Sequence, residues 1–82
     1  MPYVYILKSR KDTSRIYIGK TADVEERLKE HNLGQSPFTK EFVPWKLQTF
    51  VWFDDIKSAE DFEKYLKSGS GFAFMKKRLL PN

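Results

Sequence analysis

The sequence predicts a small α/β domain, a three-stranded, mainly antiparallel sheet flanked by helices. Three observations predict it. Tyr3–Leu7, Ile16–Ile18 and Trp45–Phe53 are short runs of β-branched and aromatic residues, the composition of strands. Residues 22–33 and 58–67 instead carry apolar side chains at helical spacing. The strand runs are apolar on both faces, so both sides of the sheet need cover, and helices are what the chain has to supply it.

Each element follows in order. In the first strand, Tyr3, Tyr5 and Leu7 share one face, and Val4 and Ile6 share the other. A polar stretch from Lys8 to Ser14 turns the chain, and Ile16-Tyr17-Ile18 pairs back as an antiparallel hairpin ended by Gly19. Tyr17 points away from Ile16 and Ile18. The first helix, residues 22–33, has Asp23 and Glu26 as a capping pair and Gly34 as its stop. Residues 35–44 are a loop, and Pro44 suits the start of the third strand, which Asp54-Asp55 ends. The second helix, residues 58–67, has Ser58 and Asp61 spaced for a capping box, and Gly69 and Gly71 interrupt it. A short third helix, residues 72–79, stops before Pro81.

At 82 residues the chain is expected to form one domain spanning 1–82. It has no cysteine, which excludes a disulfide scaffold and thiolate metal sites and fits a reducing cytoplasm. No apolar stretch is long enough to span a bilayer, and no signal-peptide pattern opens the chain, so the expectation is a cytoplasmic protein with no membrane partner. The net charge is +4. Lys8, Arg10, Lys11, Arg15 and Lys20 crowd the first 20 residues, and Lys64, Lys67, Lys76, Lys77 and Arg78 crowd the last 19. Basic ends around an acidic middle can form a phosphate-binding surface or an ordinary solvated one.

Polar residues fall at the borders of the apolar faces. On the first helix, Val24, Arg27, Leu28 and His31 lie within one arc, so Arg27 and His31 edge the buried stripe. A guanidinium there either steadies charge on a phosphate oxygen or packs its stem over the core edge with its head in water. His31 suits a satisfied core histidine as well as a catalyst. On the second helix, Glu63 lies against the stripe of Ala59, Phe62 and Leu66, and it needs a cation, a donor or a metal as partner. Magnesium suits a single carboxylate because it keeps most of its waters. Tyr3, Tyr5 and Tyr17 serve equally as sheet aromatics or as phenols that handle a proton near positive charge.

With these residues in place the chain resembles the GIY-YIG nuclease family over nearly its whole length. Tyr3-Val4-Tyr5 stands where that family has Gly-Ile-Tyr, and Tyr17-Ile18-Gly19 is its Tyr-Ile-Gly intact. Arg27-Leu28-Lys29-Glu30-His31-Asn32 looks like its arginine helix, and Glu63-Lys64-Tyr65-Leu66-Lys67 like its glutamate motif. The small stand-alone bacterial members are the nearest in kind. Two departures stand out: Tyr3 replaces the first glycine, and Gly71-Phe72 stands where such members often carry Gly-Arg.

The resemblance implies a divalent metal, Mg²⁺ or Mn²⁺, and hydrolysis of DNA phosphodiester bonds, with structured or branched DNA in repair or recombination as the expected substrate. It gives Tyr17 the role of general base or its close partner and sets Tyr5 beside it. Arg27 would steady the pentavalent phosphate, His31 would orient or share protons with the tyrosine, and Glu63 would hold the metal. Gly19 and Lys20 would contact substrate. A homodimer or a partner protein would supply specificity. The alternative is a nucleic-acid-binding module without turnover, and a third reading is a protein-interaction domain using Trp45 and Trp52.

Overall fold

In the computed structural model, which describes residues 2–80, the chain runs β1 (Tyr3–Ser9), β2 (Ile16–Thr21), α1 (Val24–Asn32), β3 (Trp45–Trp52), α2 (Ile56–Leu66) and α3 (Gly69–Phe74). A single 3₁₀ turn at Lys40–Phe42 precedes β3, and a widened helical turn at Met75–Leu79 continues α3. The sheet order is β2-β1-β3, and both pairings are antiparallel. The predicted α/β architecture is the one observed.

The alternation in β1 divides the molecule. Val4 and Ile6 point to one side and are buried with Ala59, Leu66 and Met75 of the later helices, and Ile16 and Ile18 of β2 pack against them. Tyr5 and Leu7 point to the other side and are buried with Val24 of α1 and Trp45 of β3, beside Tyr17 and Leu28. Fully burying one such aliphatic side chain contributes about 1.5–3 kcal/mol. The central strand is thus stabilised from both faces, as its sequence requires.

A β-bulge gives β3 its sidedness. Ile6 faces Thr49 and Leu7 faces Leu47, so Gln48 is an extra residue in the ladder. The inserted residue shifts the alternation. Trp45 and Leu47 lie on the α1 side, and beyond the bulge Phe50 is the residue that meets Tyr3, edge to face at 5.6 Å.

Helix α1 starts as the sequence indicates: the Asp23 carboxylate accepts from the Glu26 N–H at 3.1 Å. Gly34, at φ 77°, takes the left-handed position beyond its end. Three boundaries differ from the sequence reading. Strand β2 does not end at Gly19 but runs on to Thr21, with Gly19 paired to Tyr5. Helix α2 is capped by Asp55, not by a Ser58–Asp61 box. Asp55 accepts from the Ser58 N–H at 2.7 Å and from its hydroxyl at 2.8 Å, which starts the helix two residues earlier. Helix α3 begins at Gly69, capped by Ser68, whose hydroxyl oxygen accepts from the Gly71 N–H. A side chain at Gly71 would strike the Tyr65 carbonyl, so the glycine is what lets α3 fold back against α2.

Candidate active site

Strand β1 delivers Tyr5, β2 delivers Tyr17 and Gly19, and α1 delivers Arg27 and His31, all to the same side of the sheet. Tyr5 is buried to its hydroxyl, which lies 2.9 Å from His31 Nε2. The far ring nitrogen, His31 Nδ1, lies 2.7 Å from the Thr39 hydroxyl. The Tyr17 ring stands 4.9 Å from the imidazole and 6.2 Å from the Tyr5 ring, half-buried where the other two are enclosed. Gly19 makes this packing possible. A Cβ there would fall 2.5 Å from Tyr5 Cζ and Oη, so only hydrogen leaves room for the phenol.

Arg27 lies near the Tyr5 hydroxyl, and its charge favours the phenolate. Burial opposes that effect and is larger, and the neighbouring Tyr17 and Glu63 add to it. The Tyr5 pKa is pushed up to about 12. Tyr5 therefore keeps its proton at neutral pH. Burial, then the Arg27 charge, holds His31 below its ordinary 6.5, so its ring is neutral. The neutral ring can accept the Tyr5 phenol proton at Nε2. In that tautomer the imidazole proton sits on Nδ1 and is donated to Thr39. Among the described residues no buried side-chain polar atom is left without a partner.

The charged members are held from outside. Arg27 donates to Glu30 at 2.7 Å, and this contact, ahead of the one to Tyr5, stabilises its charged form. Glu63 projects from α2 with its side chain 21% exposed, and Lys67 lies 3.4 Å away. The Glu63 charge adds, as the smallest of the contributions, to the rise in the Tyr5 pKa. Of the partners the sequence allowed Glu63, a lysine on its own helix is the one present, and Arg27 is taken by Glu30.

Lys20 is not brought to the tyrosines. It shares the alternation of Ile16 and Ile18, projects toward α2 and pairs with Glu60 at 2.9 Å. Phe72 is exposed, with Lys76 Nζ 5.7 Å above its ring.

Two further residues complete the site. Thr39 is fully buried; its hydroxyl meets His31, and its carbonyl accepts from the Trp45 indole at 2.9 Å. Asn32 ties the end of α1 to β3. It accepts from the Trp45 N–H at 2.6 Å and donates to the Trp45 carbonyl at 3.1 Å. Nothing in the local pattern of the 35–44 loop marks Thr39. Asn32, one residue after His31 at a helix end, was a visible capping type.

Among the described residues no group of three or more His, Asp or Glu side chains gathers to hold a metal. The donor set is a single carboxylate with spare lone pairs, which fits a hydrated hard cation and does not fit zinc. Among the described residues no helix is long and apolar enough to cross a membrane.

Comparison with known proteins bears on the family and the fold. A family model described as the GIY-YIG catalytic domain matches residues 1–78. A UPF0213 protein of Clostridium perfringens is 38% identical over 68 residues, covering 82% of this chain and 71% of the relative. One from Haloquadratum walsbyi is 37% identical over 67 residues, 80% of this chain and 73% of the relative. The solution NMR structure of a UPF0213 protein from Bacillus halodurans matches with a TM-score of 0.55 at 28% identity, over 94% of this chain and 84% of that one. With the two tyrosine motifs, the arginine helix and the glutamate helix arranged around one sheet, the chain belongs to the GIY-YIG nuclease family.

Proposed function

We propose that this protein is a divalent-metal-dependent endonuclease that hydrolyses DNA phosphodiester bonds. One observation carries the reading: Tyr5, Tyr17, Arg27 and His31 converge on one side of the sheet, and the Glu63 carboxylate lies within electrostatic reach of them.

The roles follow from accessibility. Tyr17 is the phenol that water and phosphate can reach, and as its phenolate it would orient the attacking water and take up its proton. As the water oxygen bonds to phosphorus, the bond to the leaving sugar oxygen breaks and charge builds on the phosphoryl oxygens. Arg27, whose charge Glu30 and Tyr5 maintain, meets that charge. Tyr5 and His31 hold their protons and fix the ring planes on which Tyr17 packs. Glu63 would hold one Mg²⁺ or Mn²⁺, and such an ion, when bound, supplies Lewis-acid neutralisation of the phosphate.

Gly19 serves by making room for the Tyr5 phenol, and Lys20 by anchoring β2 to α2. Contacts to phosphate carry no sequence preference. Structured or branched DNA in repair or recombination is therefore the substrate class the reading favours, with a homodimer or partner protein supplying selectivity inside the cell.

The test is incubation of purified protein with plasmid, forked and four-way DNA, with and without Mg²⁺ or Mn²⁺, beside Glu63→Ala. Metal-dependent nicking lost in the variant supports the reading. Equal cutting by both proteins assigns the activity to a contaminant and removes the support.

A further inference from the structure

Strand β3 is an edge of the sheet, and the hydrogen bonding around it shows which part of that edge is open. The Ser9 N–H of β1 donates to the Arg15 carbonyl on the β2 side. Antiparallel bonding alternates, so Tyr3, Tyr5 and Leu7 also bond to β2, and Val4, Ile6 and Lys8 bond to β3. The bonds beyond each end of the ladder agree: the Phe53 N–H donates to the Pro2 carbonyl, and the Arg10 N–H to the Pro44 carbonyl. Thr49 and Val51, the register partners of Ile6 and Val4, therefore turn their main-chain groups inward. Trp45, Phe50 and Trp52 turn theirs outward.

Trp45 is closed off by Asn32 at the end of α1, which accepts from its N–H and donates to its carbonyl. Among the described residues nothing does the same for Phe50 or Trp52, and both side chains are half-exposed. Protein sheets usually blunt an open edge with charge, proline or a bulge. Here the bulge falls at Gln48, and the stretch from Thr49 to Phe53 beyond it carries neither charge nor proline.

This edge is self-complementary. A second copy laid antiparallel beside β3, with Val51 on the two-fold axis, sets Phe50 opposite the partner's Trp52. The register uses the outward N–H and carbonyl of both residues in each copy, and Asn32 and the bulge stop it sliding toward Trp45. Two Phe–Trp pairs then face each other on the α1 side, where cross-strand aromatic pairs stabilise a sheet. A surface cavity of about 400 Å³ opens on that side, with Tyr3, Val24, Leu47 and Phe50 in its lining, next to where the partner's indole arrives. Past the pairs, the Asp54-Asp55 turn of each copy runs toward the partner's Lys46, opposite in charge.

We infer that this edge is a homodimer interface, joining β3 to β3 in a six-stranded sheet. The inference rests on the proposed function for the use of a dimer, and it gives that dimer a geometry. A two-fold axis perpendicular to the sheet keeps the α1 side of both copies on one face, so both tyrosine clusters look the same way. The two β2 strands lie at the outer edges, about 24 Å apart across five strand spacings. Neither cluster is covered, so the pair is arranged to meet two strands of one branched substrate. The contact is isologous and closes at two copies.

The test is sedimentation velocity of the intact protein, without DNA or divalent metal, from low micromolar to near-millimolar concentration. The mass should rise from monomer to dimer, and over the same range amide exchange at Phe50 and Trp52 should slow several-fold. Trp52→Lys puts a charge at the paired position and should leave only monomer, with unchanged circular dichroism. Phe38→Lys removes a ring that is 81% exposed in the 35–44 loop and should dimerise like the parent. A parent that stays monomeric across the range overturns the proposal. So does a dimer in which the Phe50 and Trp52 amides stay unprotected, or an equal loss in Phe38→Lys, which would reduce the effect to nonspecific association. Each of these leaves the nuclease reading to be judged by metal-dependent cutting, which a monomer can also show.

Discussion

The Tyr5 hydroxyl and His31 Nε2 lie 2.9 Å apart with both side chains almost wholly enclosed. They join the central strand to α1 at the point where two aromatic residues would otherwise bury unsatisfied polar atoms. Four expectations follow from this bond and its supports.

Gly19→Ala should dislodge Tyr5. The added methyl would meet the end of the phenol ring at 2.5 Å, and the ring is held by His31 above and the sheet below. Overpacking of this kind costs about 1–3 kcal/mol. Urea denaturation should show that loss, and a variant as stable as the parent would mean the ring moves freely.

Acid should weaken the fold through His31. Burial and Arg27 hold its folded pKa below 6.5, so the unfolded chain binds the proton more readily. The stabilising contribution is complete above the unfolded value and is lost as the pH falls below it toward the folded pKa. Asp12, Asp55 and Glu60, also depressed by their hydrogen bonds and Lys20, act in a lower window, below ordinary carboxylate values of 3.8–4.5. Denaturation midpoints measured from pH 7 to pH 5 should decline in the parent and stay flat in His31→Gln. A parallel decline in both would remove His31 as the cause.

Thr39→Val should free the far side of the imidazole. It keeps the side-chain shape but leaves Nδ1–H without its acceptor, at a cost of about 1–3 kcal/mol. Thr39→Ser should restore the bond. Nitrogen-15 shifts of the His31 ring should report a protonated Nδ1 in the parent and in Thr39→Ser, and a tautomer mixture in Thr39→Val. An unchanged ring signal across all three would show that Thr39 does not set the tautomer.

Tyr5 should ionise late. Its pKa near 12 is raised by burial, so the folded state holds this proton more tightly than the unfolded chain. The corresponding stability is intact below pH 10 and drains away as the pH rises toward 12. The phenolate absorbance of the folded protein should show a late step that is missing in Tyr5→Phe. A Tyr5 step at ordinary phenol pH would contradict the enclosed geometry.

Much of the site was legible because it obeys simple periods. The alternation Tyr3-Val4-Tyr5-Ile6-Leu7 assigned both sheet faces, and a 100° wheel placed Arg27 on the edge of the α1 stripe and turned His31 to the same side, where it is fully buried instead of at the border. The same alternation, carried on from Ile16 and Ile18, places Lys20 with Glu60 rather than beside Tyr17; taking Gly19 as the end of β2 hid that. A glycine in a strand reads as a terminator, yet here it is the space beneath a phenol. The bulge at Gln48 left no trace, since β3 is apolar on both faces and either register looks acceptable. Thr39 was beyond reach for a different reason. Its partner lies eight residues away across a loop, and a loop has no period to extrapolate.

The most direct measurement is paramagnetic broadening of amide signals by trace Mn²⁺ in this protein. If Glu63 and the phenols share one metal-holding pocket, the signals of Glu63, Gly19 and Tyr17 should broaden first, and Glu63→Ala should abolish the effect while the spectrum stays folded. Broadening centred on Asp54 and Asp55, or broadening of Tyr17 that persists in Glu63→Ala, would contradict the account.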